Sequence, residues 1–239
     1  MARVKAAEVF NPRLVIGLIA AGVVAFAAML LLMAYGGGNP GSSRDGRAHA
    51  LSSAATGFKG LVTLIDSFTD TRLVRHDRGI PSENLLVVVL EPGIGAEEVT
   101  ELLEQRRGRA TLIILPKWLT TQDPTRRGWV RAVGPVLGRS AQGFLGGADV
   151  SAAEADARHP AFASGEDLLD GLQIPVPRSP QTVAGKGLTP LVRLSGDRAL
   201  IARLGDGPHY VVADPDLLNN HGLANATTAR SAVQLIERG

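Results

Sequence analysis

Three apolar runs in this chain each break at a proline flanked by groups that can bind or ionise. Residues 85–90 lead into Glu91-Pro92, residues 110–115 into Pro116-Lys117-Trp118, and residues 210–213 into Asp214-Pro215-Asp216. In open α/β sheets, ligands sit in the crevice beyond the carboxyl ends of parallel strands. If the three runs are parallel neighbours, Glu91, Lys117, Trp118 and Asp214 line one edge. The local alternative is that proline simply ends strands and the polar residues are solvated turn positions. The third run continues into a loop that concentrates acids, amides and a histidine: Asp214, Asp216, Asn219, Asn220, His221 and Asn225. Amides donate and accept while carboxylates accept, so this loop can hold a ligand or partner without turnover. The same residue types also serve as turn and helix-cap residues.

Reaction chemistry is poorly represented. The chain has no cysteine, which excludes thiolate nucleophiles, disulfides and Cys-ligated zinc. It has no phosphate-binding G-x-x-x-x-G-K-[ST], no G-x-S-x-G elbow and no H-E-x-x-H. Asp214, Asp216 and His221 match no metal-ligand spacing, so neither metal nor cofactor is expected. No catalytic residue is assigned, and the balance leans away from an enzyme. The competing reading is a hydrolase that uses Asp214 or Glu91 with His221. The formal net charge is only +2, and cations are interspersed with acids. No basic run or aromatic-basic face points to nucleic acid.

The elements that must position these residues follow from periodicity. Residues 85–90 and 110–115 are continuously apolar, as strands covered on both faces are. Residues 96–107 between them form an amphipathic helix stopped by Gly108, which makes a βαβ crossover. A helix is expected over 47–67, a short exposed strand over 71–76 and a weaker helix over 125–136. Residues 140–180, rich in Gly, Ala, Pro and Asp, should hold loops, edge strands and a short helix at 166–172. Strands follow at 188–194, 199–204 and 209–213, the first two joined by a hairpin turn at Ser195-Gly196-Asp197-Arg198. A helix over 224–237 presents Ala229, Val233 and Ile236 on one face.

Residues 14–35 carry no charge and are long enough for the ~20 apolar residues that cross a hydrocarbon core. They read as a retained transmembrane helix, since a cleaved signal would have a shorter apolar core and a small-residue cleavage site. Residues 1–13 form an N-terminal tail, 36–46 a Gly-rich linker, and 47–239 the folded domain. Arg3, Lys5 and Arg13 precede the span, while Arg44 and Arg47 follow at greater distance with Asp45 between them. Positive flanks favour the cytoplasmic side, which leaves the domain on the outer face.

Together the anchor, the segments LLVVVLEP and RRGRATLIILPKW, and the C-terminal DPDLLNNHGLANATTARSAVQLI resemble a family of bacterial membrane proteins, the domain of unknown function numbered four-three-five-zero. The resemblance covers roughly 48–238. It implies a three-layer, flavodoxin-like α/β domain with a mostly parallel sheet, similar to class I glutamine amidotransferases but lacking their cysteine nucleophile. It further implies a single-pass protein of the bacterial plasma (inner) membrane with its globular domain in the periplasm. The lipid bilayer and membrane or envelope proteins would be its partners, with a link to a MoxR-type AAA ATPase system. A non-catalytic recognition or scaffold role is expected, with an accessory subunit of an ABC-type exporter as a related alternative. Members commonly continue into a second membrane span and a cytoplasmic tail.

Overall fold

The computed structural model describes residues 12–35, 47–74, 80, 84–92, 94–126, 129–136, 145, 149–152 and 158–238. The chain divides into two units, Met1–Pro40 and Gly41–Gly239. The first contains helix α1, Pro12–Tyr35, of 24 residues, in which Arg13 is the sole charged residue. Among the described residues no helix is long and apolar enough to cross a membrane. Within α1 the described side chains fall between Ile16 and Ala28, and all of them are exposed. The expected tail and linker lie outside the described residues, apart from the start of α1.

The second unit is a mixed α/β fold. Its helices are α2 (Lys59–Asp66), α3 (Ala96–Gln105), α4 (Asn220–Leu223) and α5 (Ala226–Arg238). Its strands are β1 (Leu86–Val89), β2 (Thr111–Ile114), β3 (Trp118–Gln122), β4 (Val130–Pro135), β5 (Asp149–Ala152) and β6 (Phe162–Ser164). They continue as β7 (Gln173–Pro175), β8 (Gln181–Ala184), β9 (Leu188–Ser195), β10 (Arg198–Leu204) and β11 (His209–Val212). Seven of these form one sheet in the order β1-β2-β11-β10-β8-β5, with β9 also pairing with β10.

Strand β2 lies between two parallel partners. Thr111 to Ile114 pair with Leu86 to Val89 on one side and with His209 to Val212 on the other. The two-residue period of a strand then sends successive side chains to opposite faces. Leu112, Ile114 and Val212 join Phe58, Leu61 of α2 and Leu235 of α5 in one buried cluster. Ile113, Leu115 and Val211 join Leu90 and Val99 of α3 in another. Both faces are therefore covered, which is why the run is apolar throughout.

The sheet is mixed, not mostly parallel. Beyond β11 every pairing is antiparallel: β11 with β10, β10 with β9 and β8, and β8 with β5. Short turns dictate this for β9–β10 and β10–β11, since antiparallel strands can be joined by a few residues and parallel ones cannot. Gly196 (φ 55°) and Gly205 (φ 63°) supply the left-handed conformations that close the two turns.

Four other expectations change. Residues 47–58 are turns, and the helix begins only at Lys59. The carbonyls of this segment are claimed from elsewhere, with Asn220 N donating to Gly57 O and His221 N to Ala55 O, both at 2.8 Å. Residues 71–74 form no strand, because Thr71 donates its backbone N–H and its hydroxyl to Asp66 Oδ1 at 3.3 and 2.5 Å; residues 75 and 76 lie outside the described residues. The expected helix at 125–136 is instead the second half of an antiparallel hairpin, β3–β4. Its turn is set by Asp123 Oδ1, which accepts from Thr125 N at 2.8 Å and Arg126 N at 3.2 Å. Finally, α5 buries Thr228, Ser231, Ala232 and Leu235, leaving Ala229, Val233 and Ile236 half-buried. Ser231 can go inside because its hydroxyl donates to the carbonyls of Gln173 and Thr227, at 3.0 and 3.1 Å.

Candidate functional site

Because β1, β2 and β11 are parallel neighbours, their carboxyl ends emerge at one edge of the sheet. That edge holds an enclosed polar network. Lys117, one residue beyond Pro116, is 1% exposed, and Asp214 is 0% exposed. The Lys117 ammonium donates to Asp214 Oδ1 at 3.0 Å, Asp214 Oδ2 at 2.8 Å and Asp216 Oδ2 at 2.6 Å. An ammonium has three donors, so Lys117 is saturated. Asp214 also accepts from Gln181 N at 2.8 Å and Asp216 N at 2.9 Å. With two bonds to each oxygen, its acceptor capacity is filled as well.

Gln181 completes the tie between strands. Its amide donates to Pro116 O at 3.0 Å and Ala213 O at 2.6 Å, joining the start of β8 to the ends of β2 and β11. Asp216 Oδ1 accepts from Asn219 Nδ2 at 2.7 Å, and Asn219 Oδ1 accepts from Gly222 N at 2.9 Å, capping α4. The Trp118 ring centroid lies 5.2 Å from the Lys117 nitrogen.

Burial raises the Asp214 carboxyl to a pKa of about 6, and the nearby Lys117 ammonium pulls against that rise. At neutral pH the group is therefore a carboxylate bound to the ammonium. Removing either charge alone would strand the other in a dry environment.

The remaining residues from the sequence argument fall into two groups. Asn220 faces the segment before α2: its Oδ1 accepts from Gly60 N at 2.7 Å, and its Nδ2 donates to Ser52 O at 2.9 Å and Ala54 O at 2.6 Å. Asn225 Oδ1 accepts from Thr227 N at 2.9 Å and Thr228 N at 3.4 Å at the start of α5. Glu91 stands apart from the network and pairs with Arg47 at 3.8 Å near solvent. His221 is exposed. The hydrolase arrangement of Asp214 with His221 is not assembled, since the Asp214 oxygens are committed to Lys117 and two backbone N–H groups. Among the described residues no cluster of His, Asp or Glu could hold a metal ion.

Between this network and β1 lies a cavity of about 20 Å³, lined by Thr56, Phe58, Leu90, Pro92, Trp118 and Asn219 among others. That volume accommodates about one water and nothing the size of a substrate. Thr56 Oγ1 is buried there without a hydrogen-bond partner. Gln181 was invisible to sequence reasoning because a glutamine opening a short strand carries no pattern of its own. Asp216 stands out in the sequence as a loop acid and a weak metal candidate, whereas its carboxylate receives the lysine. No protein-family model matches the chain, and no curated protein matches its sequence.

Proposed function

We propose that this protein is a non-catalytic recognition or scaffold domain, held at a bacterial plasma membrane by α1 as part of an envelope complex. The resemblance to the domain of unknown function four-three-five-zero implies association with membrane complexes. The observation that carries the non-catalytic reading is the closure of the network at the strand ends. Lys117 and Asp214 spend their hydrogen-bonding capacity on each other and on the backbone, which leaves no free base or nucleophile among them. Glu91, Trp118, His221 and Asn225 keep accessible surface at or near that edge and are the residues a protein partner would touch. Such a partner would belong to a membrane system of the MoxR-type AAA ATPase kind.

Anchoring rests on backbone length. The 24 residues of α1 rise about 36 Å at 1.5 Å each, more than a hydrocarbon core of about 30 Å. Residues 14–35 carry no charge, and exposed Ile16, Ile19, Val23, Val24 and Phe26 need an apolar surrounding. The cationic N-terminal flank supports a periplasmic place for the 41–239 unit. Carbonate washing of membranes tests the anchor: the chain should stay in the pellet, and its release into the supernatant would refute the reading. Copurification in mild detergent from the same membranes should bring down a partner. Substitution of Glu91 and His221 by alanine should weaken that capture without lowering Tm.

A further inference from the structure

The hairpin β3–β4 forms a two-stranded sheet of its own, beginning directly after Lys117 at the carboxyl end of β2. It holds three large apolar side chains in solvent: Leu119 at 46% exposure, Trp129 at 58% and Val133 at 69%. Val133 is the extra residue of a β-bulge, since Thr120 pairs with Ala132 and Leu119 with Gly134. Bulges of this kind re-aim side chains outward. Among the described residues, two cations share the hairpin. The Arg126 guanidinium lies 4.8 Å from the Trp129 ring centroid, and Arg131 is paired across the strands with Thr121 and well exposed.

Among the described residues of the hairpin, Asp123 is the one acid. Its hydrogen bonds from Thr125 hold its pKa below the usual carboxylate range, so it stays ionised and takes Arg131 at 3.5 Å. By sequence, residues 118–135 carry three arginines against one carboxylate, a net positive charge. A tryptophan stacked by an arginine, beside exposed aliphatic groups, is the combination that settles at lipid headgroup depth, with the ring in the interface and the cation on phosphate.

We propose that this hairpin docks on an anionic lipid surface, inserting Trp129 and Val133 at headgroup level with Arg126 and Arg131 on the phosphates. The inference rests on the anchoring by α1. Given that anchor, the bilayer is the surface always within reach. The chain from Tyr35 to Arg47 can extend at most about 3.6 Å per residue, or roughly 43 Å, whatever its conformation. A tether of that length raises the local concentration of headgroups around the hairpin, so a weak interfacial contact becomes populated.

The test uses the full chain reconstituted into phosphatidylcholine vesicles with and without phosphatidylglycerol. The chain contains two tryptophans, so Trp118→Phe leaves Trp129 as the single emitter. Docking predicts that lipid-attached bromine quenches Trp129 in the anionic vesicles and that aqueous iodide does not. Each arginine near an anionic surface shifts the equilibrium about fivefold, so the R126Q/R131Q pair should lower the docked-to-free ratio roughly 25-fold. In the otherwise native chain, Trp129→Phe should abolish the lipid-quenched fraction, which checks the result without disturbing Trp118. Trp129 that stays open to iodide while the chain withstands carbonate overturns the docking alone. Protection that appears only when a second membrane protein is supplied overturns it too, in favour of a protein contact. Release of the chain by carbonate removes the anchor and the docking together.

Discussion

Replacing Lys117 with methionine should destabilise the domain in a way that depends on pH. The change keeps the unbranched stem up to Cε and removes three charge-assisted hydrogen bonds, two to Asp214 and one to Asp216. It leaves a fully buried carboxylate beside a second one. Breaking a buried pair from one side costs about 3–5 kcal/mol at neutral pH. For a domain of this size that lowers Tm by roughly 6–20 °C. The pH dependence follows from Asp214. Its folded pKa of about 6 already lies above the ordinary value of 3.8, chiefly through burial, and Lys117 holds it down. Without Lys117 it must rise further. A carboxyl whose pKa is raised on folding contributes stability that is fully present below about pH 4 and lost as pH rises through the folded value. The variant should therefore approach the native protein near pH 4.5 and fall well below it at pH 7.5. Thermal unfolding of the detergent-solubilised chain, followed by near-ultraviolet circular dichroism, measures both. Adding Asp214→Asn to the Lys117→Met chain should recover most of the loss at pH 7.5 and little at pH 4.5. An equal loss at the two pH values, or no recovery in the double variant, would refute the argument and reduce Lys117 to a packing residue.

Two further substitutions probe the loop before α5. Asn220→Ala strands Gly60 N, Ser52 O and Ala54 O, and should cost about 2–4 kcal/mol in urea unfolding; unchanged stability with lost partner capture would make Asn220 a contact residue instead. A Cβ at Gly222 would lie 1.6 Å from Asp216 O, so Gly222→Ala must displace the loop, costing about 3 kcal/mol or more, whereas a native Tm would show that the loop gives way freely.

Much of the fold was legible where local pattern and final environment agree. The runs at 85–90 and 110–115 are apolar throughout because the strands they form are covered on both faces, and their parallel pairing puts the proline-flanked ends together. The turn at Ser195–Arg198 and the stop at Gly108 (φ 77°) are likewise local chemistry. The failures have a common cause in distant partners. Residues 47–58 carry a helical period, yet their carbonyls are taken by Asn220 and His221, more than a hundred residues away. A lysine reads as solvated in any local window, and the two acids that bury Lys117 lie 97 and 99 positions downstream. The hairpin escaped because Val130 and Val133 fit a helical spacing as readily as a strand, and the bulge at Val133 breaks the alternation that would have marked it. The loop at 214–225 was rightly picked out as chemically dense. Its density, though, is largely explained by caps and ties within the domain.

The position of β2 has a consequence for biosynthesis. This strand is central, but one of its two neighbours, β11, is made nearly a hundred residues later. A nascent chain that has produced β1, α3 and β2 has a crossover with one open strand edge, and no partner for Lys117. Loop closure over that distance must precede the contacts that reward it, so assembly is slow relative to a helical bundle of equal size. The unfinished sheet edge meanwhile remains a template for stray strand pairing. Under the proposed anchoring by α1, this interval falls after insertion and before closure. Chaperones and proteases would meet the protein there as an open half-sheet, and the arrival of Asp214 beside Lys117 marks the end of that exposure.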